Sequence, residues 1–298
     1  MHSPTFRPTR ANSHLAIFTD LDGTLLDQRY SWQAAADGLE KLRQQSVPVV
    51  LCTSKTRRET EHYRRQMGIA DPFVVENGGA ILIPRGYFAD LPGELKKDGD
   101  YNMIESDISY ATLLAALEDI KQRVTPQAVG FSDLSPERLA NLTGLSLQEA
   151  IWAKERHYDE PFLIPGDDPP SLDSIRRIIE ERGLRYLRGT RFHHITGPHD
   201  KGTAVQKLIE LFRHNQTNFS SVGLGDSPMD IPLLEQVDLP IVVQNKRGSY
   251  HPVFDASAFL RSPDIGPKGW RMAIDRLFEV GLDHIHQLRP MKKEDCNP

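Results

Sequence analysis

The first regular segment of the chain is a short apolar run that ends abruptly at two acids. Residues 15–19 read Leu-Ala-Ile-Phe-Thr, and Asp20 and Asp22 follow with one residue between them. An unbroken apolar run of this length predicts a β-strand that is buried on both faces, as in a parallel sheet. Gly23 permits a sharp turn after the strand. Because open α/β sheets bind ligands at the carboxyl ends of their strands, we expect a site there.

Asp20 and Asp22 constrain what that site can hold. Two carboxylates that are packed closely repel each other, and each is costly to bury without a cation. Oxygen ligands of this kind suit a hard metal ion. A polar strand end followed by an Asx turn is the alternative explanation for a single Asp at this position. The pair of acids, followed by Gly23 and Thr24, favours the metal site over the turn.

The composition excludes several classes of protein. The 298 residues carry a net charge of −5, which gives no general attraction to nucleic acid or to an anionic membrane. No apolar run approaches the roughly 20 residues that span a bilayer, and the polar start lacks the apolar region of a secretory signal. The two cysteines, Cys52 and Cys296, exclude a disulfide scaffold and fit a reducing compartment. We therefore predict a cytoplasmic protein that binds neither nucleic acid nor membranes.

The order of the predicted elements indicates the fold class. Short apolar runs alternate with helical patterns up to residue 84 and again from residue 197, which is the doubly wound α/β pattern. Between these two parts, helices with N-caps such as Ser135 and Ser146 alternate with short strands, as in an inserted α/β module. The predicted boundaries are 1–14 for a flexible lead-in, 15–84 and 197–288 for the core, 85–196 for the inserted module and 289–298 for a polar tail.

Polar residues follow several of the predicted core elements. In a parallel sheet the carboxyl ends of all strands lie along one edge. Acids at that edge can attack phosphorus and hold a metal, while a hydroxyl and a cation can hold the phosphoryl oxygens. Each residue alone has an ordinary explanation, as a helix cap, a surface charge or a turn residue. Together they predict one site that contains Asp20, Asp22, Ser54, Lys201, Asp226 and Asp230.

These residues, in this order, resemble the four motifs of the haloacid dehalogenase superfamily, whose members are mostly phosphatases. The resemblance implies that Asp20 is a nucleophile that forms an aspartyl-phosphate and that Asp22 is the general acid and base. It implies that Ser54 and Lys201 complete the catalytic set. It also implies Mg²⁺ as the cofactor, with metal ligands at Asp20, Asp22, Asp226 and Asp230.

Longer segments are similar to the mannosyl-3-phosphoglycerate phosphatase family within that superfamily, over residues 15–273. The resemblance implies a Rossmann-like parallel-sheet core with an α/β cap domain inserted after the third strand. It implies removal of phosphate from mannosyl-3-phosphoglycerate, which gives mannosylglycerate. One departure is segment 226–230, where family members often have Asn before the last acid. The similar segments are 18–27, 53–57, 75–79, 142–146, 189–193 and 223–227.

Other polar residues are candidates for binding the rest of a substrate. Lys55, Arg57 and Arg191 suit a carboxylate or phosphate, because the Arg fork fits either group. Glu76 and Asn77 follow the third predicted strand and suit sugar hydroxyls. Ordinary surface charge or a turn is the alternative for each of these residues. The predicted substrate-binding set is Lys55, Arg57, Glu76, Asn77, Arg191 and Ser227.

His193 and His194 are adjacent on a predicted strand of the cap. Neighbouring residues on a strand point to opposite faces, so the pair makes a poor metal site. We interpret both as structural or surface histidines.

The sequence therefore predicts a Mg²⁺-dependent phosphomonoesterase that acts on a small phosphorylated glycosyl-glycerate, as a monomer or homodimer. One alternative is another activity on the same fold, either a phosphatase for a different sugar phosphate or a phosphomutase, which returns the phosphoryl group to its substrate. A second alternative is a non-catalytic module that binds phospho-ligands. Such a module would be expected to lack the nucleophile, and the presence of Asp20 counts against it.

Overall fold

The computed structural model describes residues 14–165 and 172–288. The predicted tail, and all of the predicted lead-in except residue 14, lie outside these ranges. No helix in the described ranges is long and apolar enough to span a membrane. The described strands are β1 Leu15–Thr19, β2 Val49–Cys52, β3 Phe73–Val75, β4 Ala80–Pro84, β5 Lys96–Asp98, β6 Tyr101–Glu105, β7 Val129–Gly130, β8 Asp159–Leu163, β9 Arg185–Arg188, β10 His193–Thr196, β11 Ser220–Gly225, β12 Leu239–Gln244 and β13 Leu260–Ile265. The described helices are α1 Ala36–Gln44, α2 Arg57–Met67, α3 Tyr110–Arg123, α4 Pro136–Thr143, α5 Leu147–Ala153, α6 Leu172–Glu180, α7 Lys201–Asn215, α8 Ile231–Gln236 and α9 Gly266–Val280.

The central sheet, as far as the structure describes it, has nine strands in the order β13-β12-β11-β1-β2-β3-β4-β6-β5. The strands from β13 to β3 are parallel, and β4, β6 and β5 pair in the antiparallel sense. Helices cover both faces. Leu42 of α1 and Trp270 of α9 pack on one face, and Phe212 of α7 and Leu233 of α8 pack on the other. The predicted α/β fold with a parallel-sheet core is confirmed.

The hairpin of β5 and β6 lies in the range 85–196, which is predicted as the cap, yet it extends the central sheet beyond β4. The sequence signal is weak because β5 reads Lys-Lys-Asp and all three residues are exposed. β6 pairs with β4 over five residues and buries Met103 against the core. Main-chain hydrogen bonds hold β5, whose exposed side chains show no apolar pattern, whereas Tyr101 and Ile104 of β6 also pack against the core.

A second, antiparallel sheet runs in the order β7-β8-β10-β9. Helices α3 and α6 cover one face, where Phe162 and Ile195 pack with Leu117 and Ile175. Because residues alternate along a strand, the neighbour of Ile195, His194, points to the opposite face. On that opposite face the second sheet meets the loop that follows β3 in the central sheet.

Two close approaches bring the loops at the carboxyl edge of the central sheet together. A Cβ on Gly78, whose φ is +100°, would lie 2.1 Å from the carbonyl oxygen of Asp200, the residue before α7. A Cβ on Gly23, whose φ is +91°, would lie 2.7 Å from Oδ2 of Asp226. Glycine satisfies both the backbone angle and the short distance. The start of α7 therefore lies directly against the loop after β3, and the turn after β1 lies against Asp226.

Candidate active site

Three carboxylates converge at the carboxyl edge of the central sheet. Asp20 follows β1, Asp226 follows β11, and Asp230 ends the short 3-10 turn Pro228–Asp230. Strands β1 and β11 are hydrogen-bonded neighbours. Oxygen atoms from the three carboxylates all lie within 4.8 Å of one another. The parallel pairing thus brings together acids from distant parts of the chain.

Lys201, the first residue of α7, provides the ammonium that faces these acids. Its Nζ donates to Oδ1 of Asp20 at 2.5 Å and to Oδ1 of Asp230 at 2.7 Å, and its side chain is 3% exposed. Burial alone would lower the pKa of Lys201, but the two carboxylates raise it above its ordinary value. Lys201 is therefore charged, and its position fixes one oxygen of Asp20.

Asp230 is fully occupied by donors from the protein. Its Oδ1 accepts from Lys201, and its Oδ2 accepts from the amide of Asp226 at 3.2 Å and from the amide and hydroxyl of Ser227 at 3.0 and 2.8 Å. Ser227 is thereby committed to Asp230. This arrangement ties the loop after β11 to the start of α7, so Asp230 anchors the site.

Lys201 can balance only one negative charge. Three ionised carboxylates and one ammonium would leave two negative charges in the cluster. Burial, with the nearby Asp230, raises the pKa of Asp20 to about 7 although Lys201 opposes the shift. Burial, with Asp230 and Asp20, also raises the pKa of Asp226 well above its ordinary value. A divalent cation held by carboxylate oxygens would relieve this repulsion, so the residues fit a metal site.

Asp22 lies outside the carboxylate cluster and is partly exposed. Its side chain is 41% exposed, and its Oδ2 lies 3.0 Å from Nζ of Lys55. Lys55 is buried, with its ammonium 4.7 Å from the ring centre of Tyr30 and 5.6 Å from that of Tyr63. A second acid, Glu59, lies 3.7 Å from the same ammonium. Lys55 is therefore a fixed positive charge beside Asp22.

Ser54 lies between β2 and α2, two residues before the cap of that helix. Thr56, not Ser54, is the N-cap, because its side chain accepts from the amide of Glu59 while Glu59 accepts from the amide of Thr56. This removes the ordinary explanation of Ser54 as a helix cap. The carbonyl oxygen of Ser54 accepts a hydrogen bond from the guanidinium of Arg156 at 3.0 Å, which joins this loop to the cap domain.

Arg57 and Arg191, both predicted to bind the substrate, have different partners in the structure. The guanidinium of Arg57 pairs with Glu61 at 2.8 Å and with Asp98 of β5 at 2.7 Å. Asp98 belongs to the β5–β6 hairpin, which the apolar pattern of the sequence does not predict, and its pairing with Arg57 completes this network. Arg191 is exposed, and its Nη2 donates to the carbonyl oxygen of Leu142 at the end of α4.

Glu76 joins the two sheets, and both of its carboxylate oxygens accept hydrogen bonds from the main chain. Its Oε2 accepts from the amides of His157, Tyr158 and Asp159 at 3.0, 2.8 and 3.0 Å, and its Oε1 accepts from that of His157 at 3.2 Å. Burial raises the pKa of Glu76 to about 7. Asn77, the next residue, donates from Nδ2 to Asp159 at 2.8 Å.

Several residues near the site were not found from the sequence. Tyr30 and Glu59 surround Lys55, and Asp159 and Arg156 join the cap to the core. Tyr30, Asp159 and Arg156 meet their core partners only through tertiary contact, whereas Glu59 lies four residues after Lys55 and belongs to the capping box with Thr56. One indication of these contacts was present in the sequence. Asn77 lies at a Gly-rich strand end, which indicates that two chain segments approach closely.

Similar proteins are haloacid dehalogenase-like hydrolases, whose family model matches residues 17–89. A glucosyl-3-phosphoglycerate/mannosyl-3-phosphoglycerate phosphatase from Methanococcoides burtonii is 40% identical over 259 residues, which are 87% of this chain and 95% of that protein. A protein of the same name from Persephonella marina is 36% identical over 266 residues, which are 88% of this chain and 97% of that protein. Both similarities extend over most of the chain.

The fold is also similar to that of the sucrose-phosphatase from Synechocystis sp. PCC6803, solved in complex with sucrose and phosphate. The TM-score is 0.59 at 17% identity, over 89% of this chain and 98% of that chain. At this identity the similarity concerns the fold alone.

The substitution Lys201→Met should strongly destabilise the protein in the absence of metal. It leaves Asp20 and Asp230 buried without their common partner, and breaking a buried ion pair in this way costs about 3–5 kcal/mol. Urea denaturation in the presence of a chelator measures this free energy of unfolding. Lys207→Met is the matched control, because Lys207 is exposed on the same helix; a change within about 0.5 kcal/mol is expected there. Equal effects of the two substitutions would contradict the buried triad.

Proposed function

The chain belongs to the glucosyl-3-phosphoglycerate/mannosyl-3-phosphoglycerate phosphatase family of haloacid dehalogenase-like hydrolases, and from this we propose that it hydrolyses mannosyl-3-phosphoglycerate to mannosylglycerate and phosphate. The observation that carries the proposal is the cluster of Asp20, Asp226 and Asp230 around Lys201 in a chain of this family. Glucosyl-3-phosphoglycerate is the second candidate substrate, because the names of both relatives include it.

Asp20 is the proposed nucleophile. Lys201 holds its Oδ1, which leaves Oδ2 to attack phosphorus. The Asp20–phosphorus bond forms as the bond between phosphorus and the glycerate oxygen breaks, and Asp22 supplies the proton that the leaving oxygen needs. In the second step Asp22 takes a proton from water, the water attacks phosphorus, and the carboxylate of Asp20 leaves. The partly exposed position of Asp22 supports this role, because a general acid and base must reach both substrate and water.

The phosphoryl oxygens need positive charge and hydrogen-bond donors. We assign these roles to Lys201 and to the hydroxyl of Ser54, which precedes α2 and does not cap it. The proposed cofactor is Mg²⁺, held by the carboxylates of Asp20 and Asp226 and by the carbonyl oxygen of Asp22, with Asp230 positioning the site. When bound, Mg²⁺ offsets the charge of the carboxylates and of the phosphoryl group.

Lys55 and Arg191 are the proposed partners of the glycerate carboxylate. Lys55 lies over the ring of Tyr30, whose hydroxyl donates to the carbonyl oxygen of Thr143 at 3.1 Å. Arg191 donates to the carbonyl oxygen of Leu142, the residue before Thr143. Burial raises the pKa of Tyr30, and the positive charges of Lys55 and Arg191 oppose the shift. The carbonyl contacts at Leu142 and Thr143 bring Arg191 and Tyr30, with Lys55 over its ring, to the end of α4.

The cap is proposed to cover this site. Its proposed extent is residues 106–196, because β5 and β6 belong to the central sheet. Glu76 and Asn77 then act at the junction, where the loop after β3 meets the start of β8.

Phosphate release from a substrate panel tests the proposed function. The wild-type protein should show its highest kcat/KM with mannosyl-3-phosphoglycerate or glucosyl-3-phosphoglycerate, ahead of simple sugar phosphates and an aryl phosphate. Product analysis should find free phosphate and the dephosphorylated glycosyl-glycerate. An isomerised sugar phosphate would indicate a phosphomutase, and higher kcat/KM with an unrelated sugar phosphate would contradict the substrate.

Metal binding should separate Mg²⁺ from Ca²⁺. Both ions should raise the melting temperature of chelator-treated protein, but only Mg²⁺ should support phosphate release. Ca²⁺ accepts bidentate carboxylates, and bidentate binding by Asp20 would occupy the oxygen that must attack. Asp226→Asn should weaken the stabilisation by both ions, whereas Asp255→Asn, at an exposed position, should not. Full activity in Ca²⁺ or in excess chelator would rule out this metal site.

Arg191→Ala should reduce selectivity for a substrate with a carboxylate. A hydrogen bond to a charged group contributes roughly 1.5–3 kcal/mol, so kcat/KM for mannosyl-3-phosphoglycerate should fall by about 10- to 100-fold. The fall for an aryl phosphate should be much smaller. Arg138→Ala, at an exposed position on α4, is the control and should leave the ratio of the two values unchanged. If Arg191→Ala lowers kcat/KM equally for both substrates, Arg191 binds the phosphate or stabilises the fold, and the assignment to the carboxylate is wrong.

A further inference from the structure

The two residues at the end of β1 face opposite sides of the central sheet. Side chains alternate between the two faces along a strand. Phe18 packs on the face that α7 covers, and Ile17 packs on the face that α9 covers. By this alternation Thr19 faces α9, whereas Asp20 faces α7, from which Lys201 holds its carboxylate. A second set of contacts therefore reaches Asp20 through its neighbour, from the other side of the sheet.

These contacts form a relay of two hydrogen bonds from Trp270 through Thr19 to Asp20. Nε1 of Trp270 donates to Oγ1 of Thr19 at 3.1 Å, and Oγ1 donates to the carbonyl oxygen of Asp20 at 2.8 Å. An indole N–H can only donate, so the hydroxyl of Thr19 accepts from it and uses its own hydrogen for Asp20. The amide of Asp20 donates to the carbonyl oxygen of Leu224 at 3.0 Å. Both main-chain polar groups of Asp20 are therefore bonded.

Close contacts with α1 and β13 fix the position of the indole. Trp270 is fully buried. A Cβ on Gly38 of α1 would lie 3.0 Å from Cζ3 of the indole, so glycine at this position leaves space for the ring. Trp270 follows Gly269, where a Cβ would lie 1.9 Å from the carbonyl oxygen of Asp264 in β13. Helix α9 is therefore packed tightly against both neighbours at the turn that carries the indole.

Packing alone does not explain the hydroxyl of Thr19. The other four residues of β1 are apolar, and all five are buried. Burying a hydroxyl is unfavourable unless it is hydrogen-bonded, and valine has a similar shape without this cost. The hydroxyl has one partner on α9 and one at the strand end. Its distinctive contribution is therefore the connection between Trp270 and Asp20.

We propose that Thr19 and Trp270 are positioning residues for the nucleophile. Their relay sets the orientation of the main chain from which the carboxylate of Asp20 extends toward phosphorus. Lys201 holds that carboxylate from one face of the sheet, and the relay holds the carbonyl oxygen from the other. Alignment of this kind matters because a misplacement of about 1 Å can lower a rate by about 100-fold. The inference rests on the proposed function, since it concerns the residue to which we assign the attack.

Phosphate release in a single turnover, at saturating Mg²⁺, tests the relay. Trp270→Phe removes the indole N–H and keeps an aromatic ring, and Thr19→Val removes the hydroxyl and keeps the branched shape. With mannosyl-3-phosphoglycerate, each substitution should lower the maximal rate about 10-fold. The substrate concentration that gives half the maximal rate should change by less than about 2-fold, because substrate binding is untouched. Thr19→Ser keeps the hydroxyl and should restore most of the rate.

The double variant Thr19→Val/Trp270→Phe tests whether the two residues act as one unit. Without the hydroxyl, the indole N–H has nothing to hold at Asp20. The double variant should therefore be no slower than Thr19→Val alone, although two independent losses would multiply to about 100-fold. Multiplied losses would overturn the relay.

Tyr87→Phe is the matched control for loss of a buried donor from an aromatic residue. Tyr87 is buried, and its hydroxyl donates to Oδ1 of Asp71 at 2.9 Å. Asp71 precedes β3, so this bond lies at the amino edge of the sheet, opposite to Asp20. Tyr87→Phe should lower the melting temperature and leave the single-turnover rate unchanged. If it slows the reaction as much as Trp270→Phe does, general destabilisation explains both effects and the relay is wrong.

The outcomes distinguish this inference from the proposed function, because every variant is also assayed with an aryl phosphate. Wild-type protein that releases phosphate from the aryl phosphate alone would contradict the proposed substrate, and the relay would then be judged by the same losses with the aryl phosphate. Wild-type protein that releases phosphate from neither compound would overturn both proposals. An active wild-type protein together with an unchanged rate in Thr19→Val and Trp270→Phe would overturn the relay and leave the proposed function standing. Thermal unfolding shows whether each variant is folded at the assay temperature.

Discussion

The buried ammonium of Lys201 joins two carboxylates at the edge of the central sheet, and the geometry of the site depends on it. Its Nζ donates to Asp20 and Asp230 at 2.5 and 2.7 Å in a position shielded from water. Like charges of this kind are costly to bury without an opposing charge. The place of that ammonium is set by where α7 begins, and the contact between Gly78 and Asp200 fixes this point. The site therefore depends on the loop after β3 as much as on β1.

The hydrogen bonds leave the three acids with different numbers of free carboxylate oxygens. Both oxygens of Asp230 are filled by donors from the protein, so this residue fixes the loop after β11. Asp20 has one oxygen on Lys201, and Asp226 has one oxygen that accepts from Thr24 at 3.1 Å. The acids with spare oxygens are therefore the two to which we assign the metal, and Asp20 is also the one to which we assign the attack on phosphorus. The charge that Lys201 leaves unbalanced explains why these acids suit a divalent cation.

The sequence was sufficient to predict the core cluster, because parallel strands share one edge and an apolar run followed by acids marks each strand end. Asp20 and Asp226 follow such runs, whereas Lys201 begins α7 and was predicted from its place at the start of a helix. The partners of Glu76 and Asn77 could not be predicted, because they lie on β8 and in the segment just before it. Asn77 and Asp159, for example, are 82 residues apart in the sequence. Such contacts leave no periodic pattern. The β5–β6 hairpin was missed for a related reason, since main-chain pairing holds it and its exposed residues resemble a linker.

Chemical trapping of the phosphoenzyme tests the central claim, that the carboxylate of Asp20 receives the phosphoryl group. Protein mixed with mannosyl-3-phosphoglycerate and Mg²⁺ is quenched during turnover and treated with borohydride, which reduces an acyl phosphate to an alcohol. Peptide mass spectrometry then identifies the reduced residue. The account predicts homoserine at position 20, and only in protein that received substrate. Homoserine at another aspartate, or no reduced residue although phosphate is released in the same sample, would contradict it.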